Sequence, residues 1–399
     1  MKKIASKIIL LLWLSAPLCA ADFGVITSQY ALAANPGTDD SAYEYRSDIM
    51  PRLSILFADA GEFFVSAGAT LGIADGFYYI TELLHTEVSY HSGNWGIAAG
   101  RMQYTDPLGF IASGLFDGVR VSHTSTLGNF SAGAWYTGFL YKKNAIITMT
   151  AEEQSSYDSP VDYGNFFGTY FAPRRFLASL DWEHPSIAEL LHLKAALIFQ
   201  VDLSDNDKKY HSQYATLKAS MPYDRFLFEL GGSLEMSQSE DFEIALASDI
   251  GIFWSLPTSF NSRLSLTGRF AGGNSSGVAG VFVPVTGKSY GDIIRAKLSG
   301  ITVLSLDYTA LLIQPLGVSL TASHFVRNDI GTYSAWPVKG EYNSGHFFGT
   351  EFYARIVWSL FSDLHLSLGG GAFFSALGNV NRDERAQWRI ELNAIFALY

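Results

Sequence analysis

Cysteine is all but missing, since Cys19 is the single one in 399 residues. It closes a stretch laid out like a secretory signal peptide. Lys2, Lys3 and Lys7 give a basic start, an apolar run follows from Ile8 to Leu14, and small residues come at Cys19-Ala20-Ala21. The expected organisation is a cleaved signal over residues 1–21 and one domain over 22–399. The apolar run is shorter than the ~20 residues of a spanning helix, which argues against a membrane anchor. Leu18 stands where lipoprotein signals place Gly, Ala or Ser, which argues against lipidation of Cys19. Without the signal no thiol is left, so disulfides, thiolate metal sites and cysteine nucleophiles are excluded together. An exported chain of this size then needs another source of stability, and a closed hydrogen-bonded sheet supplies it.

Charge is scarce as well: 16% of residues are Asp, Glu, Lys or Arg, where soluble domains average about a quarter. After the first residues no uncharged apolar run reaches helix-spanning length, which excludes a helical membrane protein. What is abundant is aromatic, with 21 Tyr, 29 Phe and 8 Trp making 15% of the chain. Removing the three N-terminal lysines from the 27 basic residues leaves 24 against 38 acidic, a net charge of −14. Nucleic acid is therefore not an expected partner.

The residues present alternate with a period of two. Leu264, Leu266, Gly268 and Phe270 are separated by polar residues from Arg263 to Arg269. Phe226, Phe228, Leu230, Leu234 and Met236 interleave with Glu229 and Glu235, and Phe242, Ile244, Leu246, Ile250 and Ile252 with Glu243 and Asp249. Leu191, Leu193, Leu197 and Phe199 interleave with His192, Lys194 and Gln200. Successive side chains of a strand point to opposite faces, so each segment has one apolar and one polar face. A sandwich would bury the apolar face against a second sheet and a membrane barrel would turn it to lipid. The segments run roughly 10–14 residues, suited to a tilted membrane crossing rather than the usual 5–6. Aromatic residues sit at segment ends (Phe57, Tyr90, Trp95, Trp182, Tyr223, Trp254, Phe260, Trp358 and Phe361), as in an interfacial girdle.

Short turns alternate with longer connections. The turns fall near 59–61, 92–94, 127–129, 184–186, 222–224, 257–259, 315–317 and 362–363, and the long segments near 35–43, 143–173, 272–298 and 328–346. The expected fold is all-β: a transmembrane antiparallel up-and-down β-barrel of about 16–18 strands, with short periplasmic turns and long external loops.

The last residues, Trp388 to Tyr399, form an alternating strand ending on an aromatic residue. This resembles the C-terminal signal of Gram-negative outer-membrane porins, with one departure: Ile390, Leu392, Phe396 and Leu398 lie on the parity opposite to Tyr399. The segment Gly100-Arg101 to Pro107, followed by Phe116-Asp117-Gly118, is similar to hairpins of porin and alginate-export barrels. The resemblance implies outer-membrane lipid and the barrel-assembly machinery as partners, small hydrophilic solutes as cargo, and the homotrimer common among porins.

Catalytic and metal-binding groupings are not recognisable. Gly273-Asn274-Ser275-Ser276-Gly277 has the Gly-x-Ser-x-Gly form but lies in a Gly/Ser-rich loop without the strand and helix that motif needs. Asp202, Asp205 and Asp207 crowd one loop without the spacing of a calcium loop. The 9 histidines form no paired ligand motif. The expectation is a non-enzyme with no cofactor and no metal.

If lipid covers the apolar parity, the other parity lines a lumen. The candidates are Arg52, Arg101, Arg120, Lys194, Lys218, Glu229, Glu235, Glu243, Asp249, Arg263, Arg269, Asp307, Glu351, Arg355 and Arg389. So many charges would be costly in a dry core, whereas a water-filled lumen removes that cost. Arg101 shares the parity of Trp95 and Ile97, so a place for it in the lumen requires a bulge. Glu229, Glu235, Glu243 and Asp249 on adjacent strands, opposite Arg52 and Arg120, would make a transverse field. The aromatic loop 143–173 either folds into the mouth as a constriction, the favoured reading, or lies outside as an adhesive or antigenic surface. The function expected is a porin-like channel for passive diffusion of small hydrophilic solutes or ions, with net acidity favouring cations. The alternatives are a surface barrel acting as an adhesin or host-contact protein through its loops, and an outer-membrane hydrolase.

Overall fold

The computed structural model describes residues 21–36, 41–58, 60–74, 76–149, 153, 157, 159–205, 209–239, 241–273, 280–328, 346–375 and 386–398. Residues 1–20 of the expected signal peptide therefore lie outside the described residues, as do Tyr399, Asp207 and the Gly-x-Ser-x-Gly segment beyond Gly273.

The strands follow in chain order. The first seven are β1 (Ala21–Asn35), β2 (Ala42–Phe57), β3 (Gly61–Ile73), β4 (Phe77–Ser92), β5 (Trp95–Thr105), β6 (Ser113–Ser125) and β7 (Gly128–Tyr136). A loop then leads to β8 (Arg175–Ile187), β9 (Leu191–Asp202), β10 (His211–Tyr223), β11 (Phe226–Gln238), β12 (Phe242–Ser255) and β13 (Arg263–Ala271). A second long loop carries a two-residue ribbon, β14 (Ser289–Tyr290) with β15 (Ala296–Lys297). The chain continues through β16 (Ile301–Ile313), β17 (Leu316–Arg327), β18 (Phe347–Phe361), β19 (Leu364–Phe374) and β20 (Gln387–Leu398). Without the ribbon, the strands form one 18-stranded antiparallel sheet in which each pairs with its neighbour in sequence. β20 returns to pair with β1, Val25 facing Leu398 and Asn35 facing Trp388, so the sheet is a closed barrel.

The alternation seen in the sequence becomes two faces of this wall. On β12, Phe242, Ile244, Leu246, Ile250 and Ile252 are exposed, while Ala245, Ala247 and Asp249 between them are buried. An apolar exposed face around the outside of a closed sheet is compatible with lipid, and no unpaired edge is left where the ladder is complete. Of the nine girdle candidates, Tyr90, Trp95, Tyr223, Trp254, Phe260, Trp358 and Phe361 stand exposed at the short-turn end, whereas Phe57 and Trp182 are half-buried. β20 keeps the parity read from its sequence, with Ile390, Leu392, Phe396 and Leu398 outward.

Two local features depart from simple alternation. On β4, Ser66 faces His85 and Ala67 faces Leu83, so Leu84 is an extra, bulged residue. A bulge shifts which parity faces out: Val88 and Tyr90 are exposed below it, Tyr79 and Leu83 above it. The turn expected at 184–186 lies further on, because β8 bulges between His184 and Ile187 before meeting Leu191.

A charge placed on the two faces should have opposite consequences. Ile250→Arg puts a guanidinium on the outer face at mid-strand and is expected to cost about 2–4 kcal/mol. Ser265→Arg, inward and opposite Asp307, should cost much less. Reversible denaturant unfolding in lipid vesicles measures both; equal losses would contradict the assignment of faces.

Candidate functional site

The barrel is not an empty cylinder. Three connections at the end away from the short turns fold into it, and buried carboxylates hold two of them. Asp106, at the end of β5, accepts backbone N–H groups of Leu108, Gly109, Ile111 and Ala112 at 2.8–3.0 Å. That curls 106–112 into a compact turn. Burial pushes the Asp106 carboxyl above the ordinary carboxylate range, with the four N–H groups opposing the shift. Glu351 on β18 accepts the N–H groups of Asp292, Ile293 and Ile294 at 2.6–3.1 Å. Glu235 on β11 accepts the Val283 N–H at 2.8 Å and the hydroxyls of Tyr210 and Tyr214 at 2.6 and 3.2 Å. Gly291, at φ 82°, lets the chain pass close to Glu351 and Phe325, leaving no room for a side chain.

The inward segments also bond to each other. Thr286 N–H donates to Ile111 at 3.0 Å, Thr148 N–H to Val285 at 2.9 Å, and Gly287 N–H to Ile146 at 2.6 Å. Around these bonds lies an apolar cluster, with Phe110, Ile111, Leu140, Ile147, Phe282 and Val285 packed against inward wall residues Met102, Phe116, Trp135, Leu177 and Ile198. The wall is thus apolar on its inner side at this level. The loop expected to fold inward divides: Leu140, Ala145 and Ile147 are buried inside, whereas Tyr163 and Tyr170 reach the backbone of β4.

Charges gather elsewhere on the inner face. Lys218 meets Glu229 at 2.9 Å and Asp249 at 3.8 Å, and Asp249 meets Arg269 at 3.1 Å. Arg269 lies over the Tyr290 ring of the second loop. Lys194 meets Glu183 at 3.2 Å, and His192 meets it at 2.8 Å. Arg120, Lys194 and Lys218, with Asp181 and Glu183, line a cavity of about 540 Å³ that the Asp106–Gly109 turn roofs. Across the barrel Glu391 binds Arg355 at 2.9 Å and Arg389 at 3.0 Å, and Arg355 also reaches Asp292 at 3.2 Å.

The remaining sequence candidates have definite places. Asp307 accepts the Thr321 hydroxyl at 2.8 Å, and Arg263 stacks on Phe253 at the short-turn end. Arg52 lies against Gly24 of β1, and Glu243 against Gly280. Glu235 and Glu351 are fully buried behind loops, so they act on backbone rather than on an open space. Arg101 does not join the others. β5 and β6 pair without a shift, so Arg101 keeps the outward parity of Trp95 and Ile97; it is buried and bonded to Asp117 at 2.9 Å. The acidic residues of β11 and β12 form no separate wall, because Lys218 and Arg269 stand among them. Asp202 is engaged by Arg175 at 2.7 Å and the Ser204 N–H at 2.8 Å, and Asp205 by Arg174.

Sequence reasoning passed over the 106–112 turn and the tethering role of Glu235 and Glu351. Asp106-Pro107 with Gly109 was the one local signal, since a carboxylate ahead of Pro and Gly favours a side-chain-capped turn. Glu351 meets its partners only through distant chain.

A closed 18-stranded barrel narrowed by inward loops is the architecture of outer-membrane porins. No family model and no curated protein sequence matches the chain. Among solved structures it is similar to Pseudomonas aeruginosa OccK9 (OpdG), with a TM-score of 0.62 at 12% identity over 95% of this chain and 98% of that one. Pseudomonas aeruginosa OprD gives 0.60 at 12% over 96% and 97%. OccK2 (OpdF) of the same organism, in complex with glucuronate, gives 0.60 at 12% over 95% and 98%. At that identity the likeness establishes the fold.

Removing the Asp106 carboxylate should loosen the roof. Asp106→Ala leaves the buried N–H groups of Leu108, Ile111 and Ala112 without their acceptor, each worth about 1 kcal/mol or more, while Gly109 keeps its bond to the residue 106 backbone carbonyl, and is expected to raise single-channel conductance. Asp106→Asn, which keeps one acceptor oxygen, should change it less. Identical conductance in all three proteins would rule out this carboxylate as the tether.

Proposed function

We propose that the chain is an outer-membrane channel that lets small hydrophilic solutes diffuse passively, without covalent chemistry. The observation that carries this reading is the polar, charge-lined cavity inside a closed barrel whose mouth is narrowed by tethered loops. Arg52, Arg120, Lys194, Lys218, Glu229, Asp249, Arg263, Arg269, Asp307, Arg355 and Arg389 are the side chains that would meet a passing solute. Cations and carboxylates alternate along the cavity wall, an arrangement suited to a small dipolar or carboxylate-bearing solute. The glucuronate held by the OccK2 structure is a solute of that size and chemistry. On this reading residues 1–21 direct export, the barrel-assembly machinery inserts the mature chain, and the outer face meets lipid. Assembly as a homotrimer belongs to the same proposal.

The full chain inserted in planar bilayers should give discrete, ohmic current steps. A folded, heat-modifiable barrel that stays electrically silent would overturn the channel reading. Lys288 offers a finer test. Burial first, and the Arg269 charge next, hold its ammonium below the ordinary lysine value of 10.5, while Asp106 and Asp249 pull the other way. Its ammonium donates to the Gly109 carbonyl at 3.2 Å, on the turn that roofs the cavity; as pH rises this charge should be lost before 10.5, and the reversal potential in a salt gradient should move towards cations. Lys288→Met should be more cation-selective at neutral pH and lack that step. Coincident pH profiles of the two proteins would contradict a place for Lys288 beside the ion path.

A further inference from the structure

Above Arg101 the wall is not made of strands alone. β4 pairs with β5 only from Ser92–Trp95 to Thr86–Arg101, although β4 continues to Phe77 against β3. β6 pairs with β7 no higher than Asp117–Tyr136. Beyond Arg101 and Asp117 the β5–β6 hairpin is paired only to itself, and its Asp106–Gly109 turn roofs the inner cavity. The hairpin has thus left the wall for the interior, which opens a notch between upper β4 and the end of β7. With one residue taken up by the bulge, β4 climbs about 25 Å from Tyr90 to Tyr79, at about 3.3 Å per residue and about 40° tilt. Tyr90 belongs to the short-turn girdle, so Tyr79 stands at the far edge of a ~25 Å lipid band, with Thr81 and Leu83 inside it. Backbone at that depth needs its partners from the chain.

Residues 139–147 and 159–172 fill the notch. Lys142 N–H donates to the Tyr170 carbonyl at 3.0 Å and Ala172 N–H to Leu140 at 2.9 Å, which joins the two lengths. The carbonyls of Tyr79, Thr81 and Leu83 each accept one donor: the Tyr163 hydroxyl, the Tyr170 hydroxyl at 2.7 Å and the Arg101 guanidinium at 2.5 Å. Leu140, Ala145 and Ile147 join the inner cluster. The other side is aromatic. Rings follow one another from Tyr136 to Phe139, Phe171, Phe167, Phe166 and Tyr163, with centroids 4.9–6.5 Å apart. Tyr136 has the parity of exposed Phe130 on β7, and Tyr79 is exposed on β4, so the run joins the outward faces of the two flanking strands. Phe139 and Tyr163 are exposed, and Phe167 is 83% exposed. From Tyr163 to Phe171 five residues are aromatic and none is charged. The nearest carboxylate, Asp162, accepts the Gly164 N–H at 2.8 Å, and the Thr169 hydroxyl accepts the Asp162 N–H at 2.9 Å. The polar groups of this turn are thus bonded within it.

We propose that the outer side of residues 159–172 is a lipid-docking surface: it seats acyl chains of the outer leaflet and completes the lipid-facing wall where the β5–β6 hairpin has left it. Height, the absence of charge and continuity with the outward faces of β4 and β7 together select lipid as the occupant. Tyr163, with its ring outside and its hydroxyl on the Tyr79 carbonyl, stands at the level where amphipathic aromatic rings meet the membrane edge. Bare to water, the exposed rings would form a contiguous apolar patch with no partner. The proposal goes beyond solute passage through the lumen, because it assigns a loop segment, rather than a strand face, to the membrane.

The test is the accessibility of a nitroxide on Phe167→Cys. The single native thiol, Cys19, lies in the expected signal, so one introduced cysteine carries one label in the mature chain. The labelled chain is reconstituted in dioleoylphosphatidylcholine vesicles, and heat-modifiable migration checks its folding. Ile250→Cys on the outer face of β12 and Lys209→Cys, exposed before β10 at the loop end, serve as references. Power-saturation electron paramagnetic resonance reads collisions with oxygen, which concentrates among acyl chains, and with nickel ethylenediaminediacetate, which stays in water. The label at 167 should match the one at 250, open to oxygen and meeting nickel several-fold less than the one at 209. Nickel access equal to that at 209, with 250 still shielded, would overturn the proposal. Exclusion of both reagents, with dipolar broadening that disappears on dilution by unlabelled chain, would place a second copy on the surface and remove lipid as the occupant. Nickel access at 250 as well would contradict the lipid-facing barrel itself, and the docking surface with it.

Discussion

The constraint on which this structure depends is that a backbone facing lipid must find all its hydrogen bonds within the chain. A sheet meets that demand only by closing, and the pairing of β20 with β1 closes this one. Stability then needs neither disulfides nor a conventional core, in keeping with a chain that has one cysteine. Where the ladder fails between β4 and β5, the same demand is met by Tyr163, Tyr170 and Arg101 bonding directly to exposed carbonyls. This also accounts for an ion pair on the lipid-facing parity: Arg101 and Asp117 bond each other while the guanidinium caps Leu83 and Phe139.

Closure leaves an interior that the chain fills unevenly. Inward loops near the mouth bring their own peptide groups into a water-poor space, and unpaired peptide groups there are costly. Asp106, Glu235 and Glu351 answer part of that cost by accepting several donors each. The surrounding wall can then be apolar, as Met102, Phe116, Trp135 and Ile198 are. Below the Asp106 turn the wall is charged, and neighbouring opposite charges such as Lys218, Glu229, Asp249 and Arg269 keep one another solvated and paired. Loop and wall together thus set a dry collar above a wet chamber.

The wall was legible in the sequence because period-two alternation and turn residues are local. Ile250 and Asp249 fall on the faces that their chemistry suggests, and Trp254 and Trp358 mark the membrane edge. The collar was not legible, since its bonds join residues far apart: Glu351 to Ile294, Thr286 to Ile111, Tyr170 to Thr81. Inward apolar residues such as Phe116 and Trp135 look in sequence like any other strand residue. The bulge at Leu84 moved the parity of upper β4 without a Gly or Pro to mark it. For Arg101 the parity rule was the better guide, and its resemblance to a porin hairpin the poorer one.

The most direct measurement is residue-resolved hydrogen–deuterium exchange on the folded chain in lipid nanodiscs. Tethering by buried carboxylates predicts that the loop amides of Leu108, Ile111, Ala112, Val283, Ile293 and Ile294 exchange as slowly as amides in the middle of β12. Exchange of those amides at the rate of an open surface loop, with the strands still protected, would contradict it: the barrel would stand, but without a tethered collar.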